Sequence, residues 1–135
     1  MYRREYGVCH LSRRNTSMFN FFKKQQSITG IDIIDVSRFE QFRDSRDNAF
    51  LQKTFFKEEL DYCFAFKDPS EHLAGTFAAK EAVSKALGVM VFPFAEIMIL
   101  RDKHGKPEAW NKERKLPVSV SITHTDTLAA AIAVA

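Results

Sequence analysis

The segment from Glu71 to Leu87 constrains the fold more than any other part of this sequence. Ala74, Ala78, Ala79, Ala82 and Ala86 make it a strong helix former, because alanine loses no side-chain entropy in a helix. Pro69 and Ser70 mark its start and Gly88 its stop, the asymmetry expected of helix ends. Its small side chains let other backbone approach closely.

The flanking segments carry other periods. Ile31, Ile33 and Ile34 beside Gly30 read as a short, largely buried strand. Ser37 fits the N-cap of a helix running to about Asp47, with Val36, Phe39 and Phe42 as its inner stripe. Phe50 to Phe66 reads as a second helical region, with Leu60 and Phe64 among its apolar positions. Glu96 to Arg101 reads as a strand followed by a hairpin turn at Asp102-Lys103-His104-Gly105. Val118, Val120 and Ile122 alternate with Ser119, Ser121 and Thr123, the pattern of a half-buried strand. Asp126 and Thr127 make a turn, and Leu128 to Val134 forms a last, Ala-rich strand. No internal repeat is evident. The expected class is α+β, with helices packed on an antiparallel sheet.

At 135 residues and 45% hydrophobic content, the chain supports one globular domain with a modest core. No apolar run approaches the ~20 residues of a membrane span, and the first residues lack a secretory h-region. Cys9 and Cys63 form no CxxC pair, which disfavours a disulfide framework or zinc site and fits a reducing, cytoplasmic setting. The net charge of +3 is uneven. Residues 1–27 hold Arg3, Arg4, Arg13, Arg14, Lys23 and Lys24 against Glu5 alone, and the rest is slightly acidic. Nucleic acid is therefore not an expected partner of the domain at 28–135. Residues 1–27 read as a flexible basic arm. A stretch ahead of a start at Met18, a targeting peptide and a partner-binding arm with Phe19, Phe21 and Phe22 docking locally are the other readings.

Three positions carry candidate chemistry. Glu81 and Lys85 are four apart and share a helix face, as do Lys80 and Ser84. A surface Glu–Lys pair and a functional carboxylate both fit Glu81. Asp32 interrupts an apolar strand, where a charge needs a partner or a metal; a strand-end Asp capping an amide fits as well. His124 closes the alternating strand, either at a ligand or as a solvated turn residue. Together, two carboxylates with a nearby Lys and His suit a divalent ion holding a polyphosphate. No P-loop is present.

Four motifs in order resemble one family. Gly30-Ile31-Asp32-Ile33-Ile34-Asp35-Val36-Ser37-Arg38-Phe39 resembles the first signature of the holo-acyl-carrier-protein synthases. Leu73-Ala74-Gly75-Thr76-Phe77-Ala78-Ala79-Lys80-Glu81-Ala82-Val83-Ser84-Lys85-Ala86-Leu87-Gly88 resembles their helix signature, the most specific of the four. Gly105-Lys106-Pro107 resembles the following hairpin, and Ser121-Ile122-Thr123-His124-Thr125 the closing strand. The resemblance spans about residues 28–135.

It implies transfer of the 4′-phosphopantetheine arm of coenzyme A to a serine of an apo acyl carrier protein, in a Mg²⁺-dependent reaction. Adenosine 3′,5′-bisphosphate is the other product. Asp32 and Glu81 match the metal-binding carboxylates, and Lys85 the lysine beside the pyrophosphate. Glu81, Lys85 and His124 are the implied catalytic residues. Lys80, Ser84, Lys85, Gly88, His124 and Thr125 are the implied coenzyme contacts. Arg38 and Phe42 are the implied carrier-protein contacts. Two acceptors fit the serine proton, Glu81 or a water on the metal. One such unit per chain implies a homotrimer with active sites between subunits. Thr76 stands where the family usually has Arg, Val89 and Met90 where it has Thr-Gly, and Ile28 where Gly is common. The alternative reading is a weakened homologue that binds carrier protein or coenzyme without efficient turnover.

Overall fold

The computed structural model describes residues 29–89 and 96–135; the basic arm, Ile28 and Met90 lie outside them. The chain runs through β1 (Thr29–Asp35), α1 (Ser37–Glu40), α2 (Ala49–Thr54), α3 (Lys57–Cys63) and α4 (Ser70–Ala86). It then continues through β2 (Met98–Arg101), β3 (Pro107–Asn111), β4 (Arg114–His124) and β5 (Leu128–Val134). The strands form one antiparallel sheet in the order β1-β5-β4-β3-β2. This is the α+β architecture expected from the sequence.

The α4 helix packs on β1, β5 and β4, with α1 and α3 on its other side. It starts where Asp68 Oδ1 accepts the Ser70 N–H at 2.9 Å. It ends in a Schellman motif: Gly88 takes φ 68°, its N–H donates to the Lys85 carbonyl, and the Val89 N–H to the Ser84 carbonyl. The small residues on α4 bring the sheet very close. A Cβ placed on Gly30 would sit 1.9 Å from the Ala82 carbonyl oxygen, so only glycine fits there. Opposite the sheet, Phe39, Phe42, Phe50, Phe55 and Phe77 interlock, with Phe42 and Phe50 stacked at 5.5 Å.

Several expectations need correction. The first helix does not run to Asp47 but stops after Glu40, and its N-cap is Val36 without a side-chain cap. The chain continues as turns, with the Phe42 N–H bonded to the Phe39 carbonyl, and both rings stay buried. The second helical region is two helices, broken at extended Phe55, whose ring thereby reaches the core. The β1 strand is not largely buried: Ile34 is, but Ile31 and Ile33 are 61% and 62% exposed. Successive side chains alternate between faces, and nothing among the described residues covers the outer one. Ile31 pairs with Ile132, and Ile132 with Ser121, so Ile31, Ile33, Ile132 and Val134 share that open face.

The turn after β2 is built by Asp102, whose Oδ1 accepts from the His104 and Lys106 N–H groups and aligns β3. Cys63 is buried, and burial pushes its thiol up to about 12. No helix among the described residues is long and apolar enough to cross a membrane.

Candidate active site

Asp32 lies on the inner face of β1, between Gly30 and Ile34. The absence of a side chain at Gly30 lets α4 descend onto this strand, and the last turns of the helix then meet Asp32. Lys85 Nζ donates to Asp32 Oδ1 at 2.9 Å and to the Ile31 carbonyl at 2.9 Å. The second oxygen, Asp32 Oδ2, is buried and has no hydrogen-bond partner among the described residues. A buried carboxylate oxygen without a donor is costly, so this atom asks for a cation or a ligand proton.

Glu81 stands one turn before Lys85 on the same face. Its carboxyl is held above the usual range, first by partial burial and then by the Asp32 charge; Lys85 and Arg38 oppose this in part. Asp32, Glu81, Lys85 and Arg38 thus share one electrostatic neighbourhood drawn from β1, α4 and α1. Two carboxylates that repel each other, one with a free buried oxygen, fit a hard divalent cation that keeps waters and phosphate oxygens as its other ligands. Among the described residues no group of three or more His, Cys, Asp or Glu is positioned to hold a metal, so the protein alone would supply two ligands.

His124 lies elsewhere. Its Nδ1 is 3.1 Å from Glu71 Oε2 in the first turn of α4. From Glu71 to Glu81 a helix advances about 15 Å, so within this chain His124 and the Asp32–Glu81 cluster sit at opposite ends of α4. His124 lines a cavity of about 160 Å³ together with Tyr62, Glu71, His72, Arg101 and Pro107. His72, Arg101 and Tyr62 were not singled out in the sequence. His72, in the first turn of α4 just ahead of the signature run from Leu73, was the available hint.

The other expected coenzyme and carrier contacts divide. Lys80 is not available: its side chain is 0% exposed and its Nζ lies 2.5 Å from Glu59 Oε2, inside the core. Burial pushes the Glu59 carboxyl up and the Lys80 amine down, and each partner's charge opposes the other's shift. Glu59 also accepts from the Phe56 and Ile99 N–H groups, so the pair ties α3, α4 and β2 together. Ser84 is likewise buried, donating to the Val89 carbonyl. Phe42 is a core ring and not a surface contact. Arg38 is exposed on α1. Gly88 shapes the helix end. The Thr125 hydroxyl accepts from the Leu128 N–H at 3.1 Å and shapes the β4–β5 turn. Thr76 is buried against Cys63, with Oγ1 and Sγ 3.7 Å apart, and does not line the cavity.

The family model of the 4′-phosphopantetheinyl transferase superfamily matches residues 28–135. The holo-[acyl-carrier-protein] synthase of Clostridium perfringens (strain 13 / Type A) is 42% identical over 120 residues, covering 78% of this chain and 90% of that protein. That of Chlorobaculum parvum is 38% identical over 109 residues, covering 77% and 93%. Among solved structures, the Bacillus anthracis holo-(acyl-carrier-protein) synthase in complex with CoA (3′,5′-ADP) superposes with a TM-score of 0.66 at 33% identity, covering 78% of this chain and 92% of that one. The Helicobacter pylori holo-[acyl-carrier-protein] synthase in complex with coenzyme A gives a TM-score of 0.66 at 31% identity, covering 78% and 97%.

Proposed function

This chain belongs to the 4′-phosphopantetheinyl transferase superfamily, and from that premise we propose that it is a holo-[acyl-carrier-protein] synthase. It transfers the 4′-phosphopantetheine arm of coenzyme A to a serine hydroxyl of an apo acyl carrier protein. The observation that carries this reading is the Asp32 carboxylate, held at one oxygen by Lys85 and buried at the other without a partner among the described residues, with Glu81 beside it.

The reaction needs a nucleophilic serine oxygen, a pyrophosphate held in line and a place for one proton. The serine oxygen bonds to the phosphorus that carries the pantetheine. The bond from that phosphorus to the bridging oxygen breaks, and adenosine 3′,5′-bisphosphate leaves with the bond's electron pair. Asp32 and Glu81 are the residues that would hold Mg²⁺, which when bound neutralises pyrophosphate charge. Lys85 adds a positive charge at the same place, positioned by the Ile31 carbonyl. Glu81 would accept the serine proton. Positioning and electrostatics carry most of the rate.

Arg38 lies exposed on α1 near Glu81 and suits contact with an acidic carrier protein. The open apolar face at Ile31, Ile33, Ile132 and Val134 supports assembly, read here as a homotrimer. The separation of His124 from the carboxylates supports active sites completed between subunits. The setting is fatty acid biosynthesis in the cytoplasm. The experiment is to incubate the protein with coenzyme A, Mg²⁺ and apo acyl carrier protein and weigh the carrier. A gain of one phosphopantetheine arm is expected; no gain with several carriers would sink the reading.

A further inference from the structure

Lys80 and Glu59 form an ion pair that no substrate reaches: both side chains are 0% exposed, with Nζ 2.5 Å from Glu59 Oε2. The amine also lies over the Phe55 and Phe56 rings, 5.4 and 5.0 Å from their centres. Glu59 is held as firmly. Its Oε2 accepts from the Phe56 N–H and its Oε1 from the Ile99 N–H, each at 2.7 Å. A pair this dry is a poor source of stability, because desolvation offsets the attraction, and apolar side chains of similar volume would serve the core as well. What such a pair supplies is one fixed register between the elements it joins, where apolar packing tolerates several.

We propose that Lys80 is a positioning residue for the transfer reaction, its ion pair with Glu59 setting the rotation of α4 that aims Glu81 at the cation shared with Asp32. This rests on the metal reading of Asp32 and Glu81 above. The helix geometry gives the reason. At about 100° per residue, Glu81 stands about 100° around the helix from Lys80 and about 40° from Lys85, with the two lysines about 140° apart. Lys85 ties its side of α4 to β1, through Asp32 and the Ile31 carbonyl. Lys80 ties its side to α3 and β2, through Glu59. Glu81 lies in the arc between the two ties, so α4 cannot roll without breaking one of them. Among the described residues Glu81 makes no side-chain hydrogen bond of its own, so its aim is inherited from the helix.

The test titrates the whole protein with Mn²⁺, which takes the same oxygen ligands as Mg²⁺. Binding is followed by electron paramagnetic resonance with coenzyme A present, against a blank of coenzyme A alone. Steady-state kcat and KM for carrier modification are measured beside it, at a temperature where circular dichroism shows each variant folded. Lys80→Met keeps most of the side-chain volume and leaves Glu59 to take up a proton, the form its burial favours. It should bind Mn²⁺ on the order of tenfold more weakly and lose on the order of 10²-fold in kcat, the scale of a misplacement of about 1 Å. KM for the carrier protein should not change. Glu59→Gln keeps an oxygen for Lys80 and should lose less in both. Leu51→Ala opens a cavity at another fully buried position and should keep wild-type Mn²⁺ affinity, which separates positioning from lost stability. Wild-type Mn²⁺ affinity and kcat in Lys80→Met, or in Glu59→Gln where Lys80→Met does not fold, would overturn the positioning role. Equal losses in Leu51→Ala would do the same. A wild type that binds no Mn²⁺ beyond the blank would overturn the metal reading itself.

Discussion

Lys85 Nζ is shared between Asp32 Oδ1 and the Ile31 carbonyl, at 2.9 Å each, so the last turns of α4 are pinned to β1 at the carboxylate. The lysine fixes one carboxylate oxygen and leaves the other buried, without a donor among the described residues. One residue thus serves both the fold and the charge balance of the site. Lys85→Met should lower kcat by about 10²–10³-fold, the cost of losing one preorganised donor. Lys85→Arg should restore part of the rate, since the charge returns with a different fork. Steady-state rates of carrier modification check this, and a near-normal rate in Lys85→Met would remove Lys85 from the mechanism.

Glu81 carries a stability cost with its function. Its folded-state value lies above the ordinary 4.5, so the folded protein binds its proton more tightly than the unfolded chain does. Stability from this group is present at low pH and is lost as pH rises from the ordinary value through the raised one. Glu81→Gln removes the ionised form. The variant should therefore melt higher than wild type at pH 7, with the advantage vanishing in acid below the ordinary carboxylate value, while transfer falls away. Thermal unfolding across pH checks the sign; a variant less stable at pH 7 would contradict it.

Gly30 sets the distance between β1 and α4. A methyl group there meets backbone at the Ala82 carbonyl and the Ala86 nitrogen, and neither can swing aside as a side chain would. Gly30→Ala should cost about 3 kcal/mol, at the upper end of overpacking effects. It should also lower the rate through displaced Asp32, two residues along the same strand face. Urea unfolding and rates measured together decide this; unchanged stability would mean the close approach is not required.

Ile132 tests the open face. It sits between Ile31 and Ser121 in one row across the sheet and is half exposed in the single chain. Ile132→Glu should leave circular dichroism unchanged, dissociate the assembly in sedimentation, and lower transfer with it. An assembly that survives this change would place the contact elsewhere.

The sequence made α4 legible because its stop and start signals, Pro69, Ser70 and Gly88, are local, and so is the alternation of β4. Asp32, Glu81 and Lys85 were legible as a group only through their ordered motifs; spacing alone left each with an ordinary structural role. Lys80 was misread as a coenzyme contact because its partner, Glu59, lies 21 residues away and on another helix. Phe42 was read both as an inner-stripe residue and as a surface contact, and the stacking with Phe50 decides for the core. Ile31 and Ile33 misled in the opposite direction: an apolar run does not say whether a strand's second face is covered by its own chain. Arg101 gave no sequence signal, since only the fold brings the end of β2 over Tyr62 and beside His72.

The most direct measurement of the central claim is the intact mass of an apo acyl carrier protein from paired reactions with coenzyme A and Mg²⁺. One reaction contains the wild type, the other Asp32→Ala shown to be folded. The account requires the carrier to gain one phosphopantetheine arm with the wild type and to stay unmodified with Asp32→Ala, because the buried oxygen that would meet the cation is gone. Equal modification by both proteins would contradict it.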